Sequence, residues 1–101
     1  MKRFSVIYLL REQYHHIACN TRSEATEVLQ KLQLDMKRTP VGVYDAKTEL
    51  FEWEPTRQHT YNGANIQEQS KLADQIITIA QALRHRDANW VPALNRPSFF
   101  A

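Results

Sequence analysis

The chain has 101 residues, of which 43% are hydrophobic and 24% charged, ordinary usage for one globular domain. It holds only 2 glycines, too few for a phosphate-cradling loop or a nucleophile elbow, because both need glycine at tight turns and close backbone approaches. The net charge of +2 is a weak electrostatic footprint, and a single cysteine excludes an internal disulfide.

Charge is unevenly placed along the chain. Residues 1–22 carry four cations against one acid, residues 23–54 carry seven acids against four cations, and residues 55–101 carry five cations against three acids. The acidic centre argues against a polyanion-binding surface along the whole chain. Lys2-Arg3 ahead of an apolar run imitates a signal peptide, and Ile17-Ala18-Cys19 imitates a lipoprotein cleavage site. The run stops after seven residues, and Arg11, Glu12, His15 and His16 break up the stretch between it and Cys19, so no export is expected. A reducing cytoplasm is the expected compartment. No stretch approaches the roughly 18 apolar residues of a membrane span, so no membrane partner is expected.

Phe4 to Leu10 is apolar and rich in β-branched and aromatic residues, which predicts a strand buried on both faces. Arg11-Glu12-Gln13 is turn-like, and Tyr14 to Asn20 predicts a second strand closing a hairpin. Thr21 and Glu24 have capping-box spacing. Ala25, Val28, Leu29, Leu32 and Met36 then keep helical periodicity, with Thr39-Pro40 as the stop. Val41 to Tyr44 and Glu49 to Glu54 predict a second hairpin around Asp45-Ala46-Lys47-Thr48. Pro55 to Asn65 reads as a polar loop with an Asn62-Gly63 turn. Ile66 to Arg86 predicts a long helix whose apolar arc, about 160° wide, implies a second contact beyond a sheet. Pro92 and Pro97 argue against a regular element after Asp87, yet Trp90, Val91, Leu94, Phe99 and Phe100 are too apolar for a solvated tail.

The predicted fold is α+β in the order ββαββα. It is a four-stranded antiparallel sheet with two helices on one face and an ordered, non-regular C-terminal tail. Residues 1–86 form a single domain in this reading. Residues 87–101 form an apolar tail that docks on the domain or on a partner subunit.

Few constellations carry chemistry. His15, His16 and Cys19 suggest a metal cluster, but on a strand His15 and Cys19 lie about 13 Å apart and His16 faces the other way. Distant His59 or His85 would be needed, so no metal or cofactor is expected. Cys19 would need a positioned base to act as a nucleophile, and reads instead as a small buried hydrophobe. Glu52 and Glu54 share a strand face opposite Glu49, the pattern of a solvated edge strand more than of an acid/base pair. Arg84, His85 and Arg86 suit the negative end of a helix.

These patterns predict a non-enzymatic protein-interaction domain, an adaptor or regulator that self-associates as a homodimer. Leu72, Ile76, Ile79 and Leu83 on the long helix would form the partner surface, with Trp90, Leu94, Phe99 and Phe100 of the tail seated on it. The alternative is a single-stranded nucleic-acid module. Tyr44, Phe51 and Trp53 would stack bases, with Arg57, His59 and Tyr61 beside them. Against this, Glu52 and Glu54 must point outward, which turns Phe51 and Trp53 toward the core.

Overall fold

A computed structural model describes residues 2–89 in seven elements. They are β1 (Phe4–Leu10), β2 (Gln13–Cys19), α1 (Arg22–Gln33), β3 (Arg38–Asp45), β4 (Leu50–Trp53), α2 (Pro55–Asn62) and α3 (Ile66–Asn89). The strands make one antiparallel sheet in the order β2-β1-β3-β4. The four-stranded antiparallel sheet and the mixed α+β class agree with the sequence pattern. The tail is predicted to be non-regular from residue 87, but α3 continues through Asn89; the rest of it, with Trp90, Leu94, Phe99 and Phe100, lies outside the described residues.

Helix placement differs from the prediction. α1 and α3 lie on opposite faces of the sheet, not on one. Phe4, Val6, Cys19 and Val43 pack with Ala25 and Leu32 of α1. Ile7, Val41 and Tyr44 pack with Ile76, Ala80 and Leu83 of α3. The physical reason lies in β1. Successive side chains of a strand alternate between faces, and in β1 both sets are apolar, with Val6 and Ile7 each fully buried. One helix layer covers only one of those sets.

A bulge lets β3 serve both layers. Its register against β1 passes from Ile7–Gly42 to Tyr8–Pro40, leaving Val41 as an extra residue. Val41 therefore joins the α3 layer, while Val43 joins the α1 layer. Pro40 is tolerated in this interior strand because it sits at the irregularity. Next to it, Gly42 lies opposite Trp53. A Cβ there would come within 2.6 Å of the Phe51 ring and would also meet the Glu52 carbonyl oxygen. Only glycine allows that close approach.

The β1–β2 hairpin closes through a two-residue turn, Arg11 (φ 54°) and Glu12 (φ 65°), with Leu10 paired to Gln13. Positive φ at both positions is the conformation that matches the strand twist. At the start of α1, the Thr21 hydroxyl accepts from the Glu24 amide at 3.1 Å, as the capping-box spacing predicts. The Glu24 carboxylate reaches back to the Asn20 amide at 2.6 Å.

α1 stops at Gln33, short of Met36, which is fully exposed. Asp35 accounts for the early stop, since its carboxylate accepts from the Lys37 amide at 2.8 Å and turns the chain toward β3. The stretch predicted as a polar loop is helix α2. Pro55 occupies its first turn, Glu54 caps its start, and Gly63 stands just past its end. The fold therefore holds three helices among the described residues, not two. The periodicity of α2 is hidden because the helix is polar nearly all round and buries no residue fully.

Candidate functional site

A cleft opens where β4 hands over to α2. Strand alternation puts Phe51 and Trp53 on the α3 side of β4, and their rings meet edge-on with centroids 4.9 Å apart at 76°. On α2, Arg57 and Tyr61 are four residues apart and so share one helix face. That face turns toward Trp53, whose ring lies 5.4 Å from that of Tyr61 at 32°. The cleft has a volume of about 710 Å³ and is bounded further by Gln33, Thr39, Thr60 and Leu72. A second hollow of about 590 Å³ continues from it along α3, sharing Trp53, Arg57 and Leu72 and reaching Tyr14, Ile76 and Ile79.

The two ionisable groups at the α2 entrance differ in their bonding. Glu54 is buried, and its carboxylate accepts from the Arg57 amide at 3.2 Å and from Gln33 Nε2 at 3.0 Å. The Arg57 side chain is half-buried, and its guanidinium has no hydrogen-bond, ion-pair or ring partner among the described residues.

Of the six residues read as a nucleic-acid surface, Phe51, Trp53, Arg57 and Tyr61 converge. Tyr44 does not join them. It is buried beneath α3, and its hydroxyl accepts from Gln81 Nε2 at 3.0 Å. His59 is exposed on α2, two residues from both Arg57 and Tyr61 and so off their shared face. Of the four helix residues read as a partner surface, Ile76 and Leu83 are buried against the sheet, Ile79 is half-buried beside them, and Leu72 lines both hollows.

The glutamate pair does not form a site. Glu52 bonds Arg22 Nη1 at 2.6 Å on the α1 side, while Glu54 caps α2. His15 stacks on Tyr8 with ring centroids 5.5 Å apart, and Cys19 is buried on the same sheet face. Burial pushes the Cys19 thiol up, with the Glu24 charge adding to it, so the reactive thiolate is disfavoured. His16 points to the other face, where Nδ1 lies 3.1 Å from Ser5 Oγ.

Arg84 is not a helix-end cation. α3 runs on to Asn89, and the buried Arg84 side chain reaches across to β1. Nη1 donates to Ser5 Oγ at 2.7 Å and Nη2 to the Lys2 carbonyl at 2.5 Å. At the neighbouring end of β3, Asp45 accepts from Arg3 through both carboxylate oxygens, at 2.8 and 2.7 Å.

The sequence pattern gives no weight to the outer side of β2. Leu10–Gln13 closes a two-residue turn, and such a pair is bonded to each other. Alternation then directs the backbone groups of Gln13, His15, Ile17 and Cys19 toward β1, and those of Tyr14, His16 and Ala18 away from it. No described strand pairs with that side. The seven residues of β2 include no Lys, Arg, Asp, Glu or Pro, the devices that usually protect an edge. The missing charges are visible in the sequence, but the edge position is not, since strand order is tertiary. Compared with known proteins, the chain matches no family model, no curated protein and no solved structure at a significant level.

Proposed function

We propose that the chain is a non-enzymatic protein-interaction module that pairs with a second copy of itself through β2. The observation that carries this reading is the uncharged, unbulged, seven-residue edge. Its outward backbone groups are self-complementary. With a two-fold axis at His16, Tyr14 of one copy faces Ala18 of the other, and each of these residues offers an N–H and a C=O outward. Up to about six cross-edge hydrogen bonds result, and the two sheets become one. Ile17, one of the few large apolar side chains left exposed among the described residues, sits on the same strand and gains cover in the pair. The surface differs from the α3 face that periodicity suggests, because the sheet already covers Ile76 and Leu83.

Sedimentation velocity from about 1 µM to about 1 mM tests the reading over the range expected of a small interface. The mass should rise with concentration from 11.9 kDa toward twice that value. Ala18→Pro removes an outward N–H, so the β1–β2 ladder stays intact while pairing is blocked. Ile17→Lys places a charge at the edge. Both variants should remain monomeric. A wild-type chain that stays monomeric throughout, or variants that dimerise equally well, would refute the reading.

A further inference from the structure

We propose that the cleft between α2, α3 and the β4 end of the sheet binds a small organic anion carrying a flat ring. The ring would lie against Trp53 and Tyr61, and the anionic group would meet the Arg57 guanidinium. This site is separate from β2 and does not depend on self-association.

Three observations lead there. Arg57 stands in the first turn of α2, where a cation opposes the positive end of the helix, so helix stability does not explain it. Arg57 is half-buried in the wall shared by both hollows, and its guanidinium has five donors and no partner among the described residues. An incoming carboxylate or phosphate would satisfy those donors with short, charge-assisted bonds. The acid beside it, Glu54, is already bonded to the α2 amide and to Gln33. The other carboxylate in these walls, Asp74, is exposed at the α3 side of the second hollow, more than 4.0 Å from Arg57.

The second observation is the aromatic pair. Trp53 and Tyr61 are inclined at 32°, and both border the cleft, so a third flat ring finds a surface there. The third is size and lining. About 710 Å³ lies within the range that takes up metabolite-sized ligands. Apart from Glu54 and Arg57, its polar walls are neutral, with Thr39, Thr56 and Thr60 supplying hydroxyls. A ligand of this kind carries its own charge to the one uncommitted cation of these walls.

Titration calorimetry on the full chain uses four probes. AMP and 2-naphthoate each combine a flat ring with an anion, phosphate in one and carboxylate in the other. Adenosine has the ring without the charge, and ribose 5-phosphate has the charge without the flat ring. At least one ring-bearing anion should bind with a Kd of about 1 mM or tighter, and Arg57→Gln should weaken it about tenfold or more. AMP binding alone identifies phosphate as the anion, 2-naphthoate alone identifies carboxylate, and adenosine and ribose 5-phosphate should both bind more weakly. Circular dichroism confirms that Arg57→Gln folds, and Trp53→Leu serves as an independent variant that removes the ring surface. The proposal fails if neither anion binds at millimolar concentration. It also fails if adenosine or ribose 5-phosphate binds as well as the best ring-bearing anion, or if folded Arg57→Gln binds like the wild type.

Discussion

The β1–β2 turn places two residues with large side chains in a conformation that favours glycine and asparagine. Arg11 has φ 54° and Glu12 has φ 65°, and both side chains are exposed, so replacing them removes no packing. Left-handed backbone costs roughly 1–2 kcal/mol for an ordinary residue. Arg11→Asn with Glu12→Gly creates the sequence this turn prefers. Glycine removes the steric cost at Glu12 but raises the entropy of the unfolded chain by about 0.5–1 kcal/mol. Asparagine recovers about half a kcal/mol at Arg11, since it tolerates the region without being free of strain. The net gain for the double variant is about 1–1.5 kcal/mol, or an increase of about 5–10 °C in Tm for a domain of this size. Thermal melts monitored by circular dichroism would read it, and the urea midpoint should move up at unchanged slope. Gln13→Gly, one residue further on and within β2, should destabilise instead. An unchanged or lowered Tm for the double variant would mean that the left-handed turn is not where the strain resides.

Gly42→Ala should destabilise by about 3 kcal/mol, since a methyl group there meets the Phe51 ring and the Glu52 carbonyl; a variant within half a kcal/mol of wild type in urea would contradict that packing. Acid should weaken the fold through Asp45, whose carboxyl Arg3 holds well below the usual carboxylate range against the opposing effect of burial, helped by the Lys47 amide and the Thr48 hydroxyl. A carboxyl lowered on folding contributes its stability above its unfolded value of about 3.9 and loses it as pH falls toward the folded value. Asp35, lowered mainly by the Lys37 amide, acts in the same direction. Asp45→Asn should therefore flatten the decline of stability between about pH 5 and pH 2, and an equally steep decline in the variant would place the effect elsewhere.

Where a structural decision is local, the sequence pattern carries it. The two hairpins, the Thr21 cap and the start of the long helix are all set by neighbours within a few residues. Thr21 needs only an amide three positions on, and Asp45 only the amide of Lys47. The decisions that were not legible are of two kinds. Some rest on signals overshadowed by composition. Pro55 at the start and Gly63 just past the end bracket α2 in the usual way, but its polar surface resembles a loop. Others are tertiary. The continuous apolarity of β1 states that both faces are covered, yet nothing local says which helix covers which. The aromatic residues of the cleft could be named individually, but the meeting of Trp53 with Tyr61 depends on α2 being a helix, since only helical spacing aligns Tyr61 with Arg57. Tyr44 shows the converse. It is a plausible stacking residue on a strand, withdrawn from any surface because α3 lies over it.

The bonds from Arg84 to Ser5 and to the Lys2 carbonyl span 79 and 82 residues, almost the whole described chain. During synthesis, β1 emerges before the other described elements, and its Arg84 partner is made about eighty residues later. Until α3 arrives, Ile7 and the Ser5 hydroxyl face water, or any other apolar surface nearby. The α1 layer can form earlier, from residues that come soon after β1 in the chain. The α1 face of the sheet can thus be completed before the other, leaving the α3 side of β1 uncovered for as long as the ribosome takes to make about forty more residues, some seconds at ordinary rates.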